Sequence, residues 1–371
     1  MITLAIDNFN GAKPLGNAGQ DYPKLFYYLK ENNIDVEVYH TPNAPKDSWY
    51  PITIKWFDFN KDYFADINPL VFKHSYKIVF SYNEADNPKD INQRLTKLAK
   101  QYNHDNIAFI SGNSSADQYK YTYYWPEVEY LFQRQTDFTT VPKTHFKRRS
   151  KHFTALVRID KLWRKVFMSN LWAKGLHNRG YFSYCQEQLG YQDDWDGLPL
   201  YNEWLAEQMS RTAKFIQAGP FFVDNLSSDE RNNYAITPVE LYEDSYFNFV
   251  LETNIDVDSS GGQCITEKTF KPILHCQPFI CVAEHNHLKH LRDLGYQTFD
   301  NIIDESYDSI ENSQERFERV MQLSEELANK SLDELHEMYI KVKDRLLHNR
   351  HLFESDLSHR LKKLTTDLNS I

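Results

Sequence analysis

Positive charge is in short supply in this 371-residue chain. It has 42 Lys and Arg against 52 Asp and Glu, a formal net charge of −10, with a sequence pI near 5.8. A protein that coats nucleic acid carries a basic footprint, so this balance excludes that class while leaving room for a local basic strip. Cysteine is scarce as well: Cys185, Cys264, Cys276 and Cys281 form no CxxC pair and are too few for a secreted disulfide framework. Reduced thiols in a cytoplasm are the expectation. Long apolar runs are missing. No stretch approaches the roughly 20 apolar residues that span a bilayer, so no transmembrane segment is expected. The opening MITLAIDNFNGAKPLG has neither a basic leader nor an apolar run of signal-peptide length. Internal repeats and low-complexity tracts are also lacking.

What is present suits a globular protein. Hydrophobic residues make up 41% and charged residues 25%, and the length allows two cores. Aromatics reach 15%, most of them expected in cores and interfaces. Apolar runs read as strands at Ile2–Ile6, Val36–Tyr39, Ile52–Trp56, Lys77–Ser81 and Asn106–Ile110. Helical periodicity falls at Tyr22–Asn33 and Asp90–Tyr102. Strands alternating with helices predict a parallel α/β domain over 1–142.

The text then changes to TTVPKTHFKRRSKH, with Lys143, Lys147, Arg148, Arg149 and Lys151. Proline, small polar residues and a charge run predict a solvated linker at 143–152; a basic lip for an anionic acceptor or a membrane surface is the alternative. A second strand–helix series starts at Phe153–Arg158 with a helix over Asp160–Leu176, opening a domain at 153–350. Residues 190–240 read as loop-rich. Later expectations are helices at His287–Leu294 and Ser313–Asn329, a short strand near Thr298–Phe299, a capping box at Ser331 and Glu334, and a helical tail over 351–371.

The densest chemistry lies between Tyr246 and Ala283. A buried strand ending at Glu252 leads into a turn-rich loop. Thr266 then caps a helix whose first turn holds Glu267 and Lys268, and Pro278 precedes a second buried strand. Pro272 is expected to kink that helix or cut it to little more than one turn. Open parallel sheets bind ligands at such strand-to-helix edges, and free N–H groups at a helix start suit a phosphate. Two Asp-x-Asp pairs, Asp194/Asp196 and Asp256/Asp258, and the cluster Glu284, His285, His287 and His290 resemble metal ligands only superficially. The former lie in polar loops, and the latter has no HExxH spacing.

Phe247-Asn248 with Glu252, followed by Thr266-Glu267-Lys268 and a Pro-apolar strand, resembles the signature of the α1,3-fucosyltransferases. The resemblance is strongest over residues 246–283. Thr253 stands where that family has Asn, and Glu284-His285 replaces its Gly. It implies a GT-B architecture, two Rossmann-like domains facing a cleft, with the acceptor side in 1–142, the nucleotide-sugar donor held by 153–350, and the tail returning to the first domain. It also implies an inverting, metal-independent transfer, with no cofactor beyond a nucleotide-diphosphate sugar such as GDP-fucose. Glu252, Glu267, Lys268 and Arg164 would contact the donor, with Arg158 and Lys165 as neighbours able to substitute for Arg164. Glu84, just past KIVFS, would be the base, with Asp86 two residues on. The acceptor would be a glycan or another hydroxyl, a hydroxyl on nucleic acid included. The family's eukaryotic members are Golgi-anchored, so a chain without an anchor is expected to be bacterial or viral. A metal-dependent GT-A-type transferase and a non-catalytic GT-B-like binding protein are the rival readings.

Overall fold

The computed structural model describes residues 1–10, 13–18, 24–54, 58–81, 87–136, 138, 146–187, 203–223, 227, 230, 238–255, 264–355 and 358–370. Contacts divide the chain into two compact units: Met1–Val128 with Ser260–Cys264 and Asp356–Ile371, and Glu129–Ser259 with Ile265–Ser355. The divisions fall at 128/129 and 355/356, and the run 143–152 belongs to the second unit. Each unit is an α/β, Rossmann-like assembly built on a parallel sheet. Among the described residues no helix is long and apolar enough to cross a membrane.

The first unit begins with β1 (Ile2–Ile6), a short hairpin of β2 (Asn8–Asn10) and β3 (Lys13–Gly16), α1 (Lys24–Glu31), β4 (Val36–His40) and β5 (Trp49–Thr53). It continues with α2 (Pro69–Lys73), β6 (Lys77–Ser81), α3 (Pro88–Tyr102), β7 (Ile107–Ser111) and β8 (Thr122–Tyr124). Six strands pair in the order β4-β1-β5-β6-β7-β8, all parallel. β6 and β7 are buried at every position, which is why KIVFS and IAFIS read as unbroken apolar runs. Asn87 caps α3 by accepting from the Lys89 N–H, Pro88 fills its first position, and Asn103 in the left-handed region ends it.

The second unit takes in most of α4 (Glu127–Gln135), then β9 (Lys151–Ile159), α5 (Leu162–Ala173), β10 (Tyr181–Glu187), α6 (Glu203–Ala218), α7 (Val239–Glu243) and β11 (Ser245–Leu251). After these come α8 (Glu267–Leu274), β12 (Phe279–Val282), α9 (His287–Asp293), α10 (Ser313–Asn329), α11 (Leu332–Lys341) and α12 (Lys343–Glu354). Its parallel sheet runs β10-β9-β11-β12. Phe153 stacks on Phe249 across β9 and β11, and Phe167 from α5 packs edge-on against Phe249. The capping box at Ser331 and Glu334 forms as expected. The last helix, α13 (Ser358–Asn369), belongs to the first unit; it buries Leu361, Leu364 and Leu368 and receives the Lys77 ammonium on the Asn369 carbonyl at 3.0 Å.

Four expectations are corrected. Residues 203–218, expected as loop, form α6, whose buried stripe at Gln208, Thr212 and Phe215 is too polar to show as apolar periodicity. No strand forms at Thr298–Phe299, because the Phe299 N–H donates to the Glu305 carboxylate rather than to a neighbouring strand. Pro272 does not stop α8 after one turn. The His275 N–H still reaches the Lys271 carbonyl (3.2 Å), and the Gln277 N–H reaches that of Pro272 (2.9 Å). Within the basic run, Arg149 is not solvated: it is buried, donates to the carbonyls of Tyr242 (2.8 Å) and Ser245 (2.5 Å), and lies over the Tyr339 ring.

Candidate active site

In the second sheet the chain passes from β9 to β10 on one side, then crosses to β11 on the other. The strand order therefore reverses between β9 and β11, and ligands of open α/β sheets bind outside the carboxyl ends of the strands at such a point. Two strand-to-helix junctions meet there. β9 runs into α5 through Asp160 and Lys161, and β11 ends at Glu252 and Thr253 before the chain reaches α8.

Arg164, in the first turn of α5, is 4% exposed. Its Nη2 donates to the Glu252 carbonyl at 2.8 Å, its guanidinium lies 5.0 Å from the Trp163 ring centroid, and its buried Nε has no protein acceptor. Burial lowers its pKa to about 10, opposed by the charges of Glu252 and Glu267, so it stays cationic at neutral pH. Lys161 donates to the Thr253 carbonyl at 2.8 Å. Lys165 is committed to Asp160 at 3.0 Å, and Arg158 lies near enough to Arg164 to depress its pKa further.

From the other junction, Lys268 extends its ammonium to Glu267 (3.0 Å), the Thr266 hydroxyl (3.2 Å) and the Thr253 hydroxyl (3.4 Å). Burial alone would raise the Glu267 pKa, but Lys268 beside it, with Lys271, holds it below the usual range. Lys271 is half-buried one turn on. Burial brings its pKa down to about 8 against the pull of Glu267. The first N–H groups of α8 are less free than expected: the Lys268 N–H is capped by the Thr266 hydroxyl (3.3 Å), and that of Thr269 returns to the Thr266 carbonyl (3.1 Å). Positive charge at this edge therefore comes chiefly from side chains.

Glu252 lies beneath these groups, 1% exposed. Its carboxylate accepts from the N–H groups of Thr253 (3.2 Å) and Thr266 (3.1 Å) and from the hydroxyls of Thr266 (2.6 Å) and Thr269 (2.7 Å). The Thr269 hydroxyl also meets His287 Nε2 at 3.2 Å. Having given its one proton to Glu252, that hydroxyl can only accept, so His287 carries its hydrogen on Nε2.

The structure thus gathers four of the expected residues, Arg164, Glu252, Glu267 and Lys268, at one sheet edge. Glu84 and Asp86 lie outside the described residues, as do both Asp-x-Asp pairs. Among the described residues no group of three or more His, Cys, Asp or Glu is placed to hold a metal ion. Sequence reasoning passed over Lys161 and Lys271. The second had a legible signal, standing three residues after Lys268 and four after Glu267 on one helix face. Among the described residues, Arg158, Lys161, Arg164, Lys165, Lys268 and Lys271 lie at these two junctions with the carboxylates Asp160, Glu252 and Glu267, and Glu284 follows β12 beside them. An edge with surplus cations, one of them a buried guanidinium, is suited to an anion.

Comparison with protein-family models finds no match, and comparison with curated proteins finds none. A solved structure described as "OtsA apo structure" aligns with 80% of this chain and 73% of its own at 12% identity, with a TM-score of 0.38. What the edge can do is decided by its own residues.

Proposed function

We propose that this protein is a glycosyltransferase of GT-B type, moving a sugar from a nucleotide-diphosphate sugar to an acceptor hydroxyl with inversion and without a metal. The observation that carries the proposal is the convergence of Arg164, Lys161 and Lys268 at the switch point of the second sheet, on the strand bearing Phe247, Asn248 and Glu252. A diphosphate leaving group develops negative charge as its bond to the anomeric carbon breaks. Cations already fixed in place stabilise that charge without reorganisation. The acceptor oxygen forms the new bond on the opposite face of the sugar, and its proton passes to Glu84, assigned from its position just past β6. GDP-fucose is the favoured donor on the sequence resemblance.

The test is a thermal-shift screen of ADP, GDP, UDP, CDP and TDP in EDTA, followed by donor turnover in EDTA. A ligand at a hundred times its Kd stabilises by about 2.7 kcal/mol, so one diphosphate should raise Tm clearly. Glu84→Gln should keep that shift and lower transfer by roughly 10²–10⁴-fold. No shift with any diphosphate would overturn the donor site; turnover abolished by EDTA would favour the metal-dependent rival, and binding without turnover the non-catalytic one.

A further inference from the structure

Each Glu252 oxygen takes two hydrogen bonds, and one on each comes from the backbone: Thr266 N–H on Oε1 and Thr253 N–H on Oε2. Backbone donors cannot reverse, so the position requires acceptors on both sides, which a carboxylate supplies and an amide does not. The hydroxyls of Thr266 and Thr269 spend their protons on the same carboxylate and are left as acceptors. Thr266 turns its acceptor side to the N–H and the ammonium of Lys268, and Thr269 turns its own to His287. The carbonyls of Glu252 and Thr253 meanwhile hold Arg164 and Lys161.

We infer that Glu252 is a positioning residue: acting through Thr266 and Thr269, it sets the place of Lys268 and the start of α8, and it does not touch the ligand. The inference rests on the nucleotide-diphosphate reading of this edge. With each carboxylate oxygen occupied by two donors, a ligand hydroxyl or N–H has no free acceptor there. Removing the charge would loosen the Thr266 hydroxyl, and with it the oxygen that helps fix the Lys268 ammonium. Outer partners that orient metal ligands typically cost about 10–100-fold in affinity or activity when changed, and a residue that orients Lys268 is expected to act on the same scale.

The experiment is calorimetry with GDP on the full chain. Glu252→Gln should weaken GDP binding roughly 10–100-fold. Combined with Lys268→Ala it should cost little beyond Lys268→Ala alone, because both changes remove one interaction. Full additivity, or unchanged affinity in Glu252→Gln, overturns the inference. Should Glu252→Gln fail to fold, Thr269→Val and Thr269→Ser decide the matter. The valine removes one of the four donors while keeping the shape, and the serine returns it. Weakened GDP binding in the first, restored in the second, supports the assignment, and wild-type binding in both refutes it. If the wild-type protein binds no nucleotide diphosphate, the functional reading falls. Amide exchange then judges the network alone: faster exchange at Thr266 and Lys268 in Thr269→Val but not in Thr269→Ser upholds it, and unchanged protection overturns it.

Discussion

The two sheets share a topology and differ in the charge they place at the same position. Numbered by order in the chain, the first sheet begins 2-1-3-4 (β4-β1-β5-β6) and the second reads 2-1-3-4 (β10-β9-β11-β12), so each reverses beside its first strand. Among the described residues of the first unit, those at that point are neutral or acidic apart from Lys24, which is paired with an acid. Asn17, fully buried, accepts from the Asp7 N–H (2.6 Å) and donates to the carbonyls of Ala5 (2.8 Å) and Pro51 (3.1 Å). The Asp7 carboxylate takes the Tyr50 hydroxyl and the Asn68 amide. Lys24, at the start of α1, is paired with the buried Glu127 at 3.4 Å. In the second unit Lys161, Arg164, Lys268 and Lys271 occupy the corresponding edge. Topology chooses where a ligand can sit, and the side chains that end each strand choose its charge.

The sharpest way to break this contrast is to remove one cation from the second edge and one anion from the first. Arg164→Ala should weaken GDP binding by at least about 2 kcal/mol, the scale for truncating a buried charged partner. Arg164→Lys should not restore it, since a point charge cannot hold the Glu252 carbonyl and a phosphate oxygen as a planar fork does. Asp7→Ala should lower stability by about 1–3 kcal/mol by leaving the buried Tyr50 hydroxyl without its acceptor. Having no partner in common with the cation cluster, it should leave GDP affinity within about twofold. Calorimetry and denaturant unfolding on the three variants check this. Equal loss of affinity in Asp7→Ala and Arg164→Ala would erase the distinction between the edges.

Acid should separate the units next. In the second, burial lowers the pKa of His275 to about 3 and of His290 to about 4, and that of His287 also falls; in the first, His104 is lowered by burial. These folded-state values lie below the unfolded one near 6.5, so below pH 6.5 the unfolded chain binds more protons than the native one. Stability falls as pH drops, over the window from about 6.5 to about 3 for His275. That group alone costs roughly 1.4 kcal/mol per pH unit within the window. Hydrogen exchange at pH 5 should show the second unit opening before the first, and His275→Gln should flatten the slope. An unchanged slope would assign the acid sensitivity to other groups.

Much of this was legible in the chain. KIVFS and SYFNFVL announce buried parallel strands because all their side chains face protein, so apolar runs go uninterrupted. Thr266 was readable as a cap because a hydroxyl directly before Glu267-Lys268 has an N–H to accept. The cation cluster was readable only in halves. Lys161 and Arg164 stand about ninety positions before Glu252, and only the adjacency of β9 and β11 brings them together. The filled state of Glu252 was not legible at all. A buried glutamate at a strand end looks the same in sequence whether its carboxylate faces a ligand or four protein donors.

The smallest effect expected concerns Lys271, which stands one turn past Lys268. Burial is the main cause of its pKa near 8, Lys268 pushes the same way, and Glu267 resists. A bound diphosphate favours the charged form, so its pKa is higher in the complex than in the free protein. Affinity is then fully present below about pH 8 and declines as pH rises through that value, levelling off above the pKa of the complex. Phosphate groups complete their own ionisation near pH 6, so the diphosphate adds nothing to the slope in this range. GDP binding should weaken a few-fold between pH 7.5 and 9, and by no more than about tenfold per unit for one proton. Lys271→Arg keeps the charge at every pH in that window and should remove the dependence while binding as well as wild type does at pH 7.5. A flat wild-type profile would place Lys271 beyond the reach of the phosphates and leave Lys161, Arg164 and Lys268 as the cations that set the second edge apart from the first.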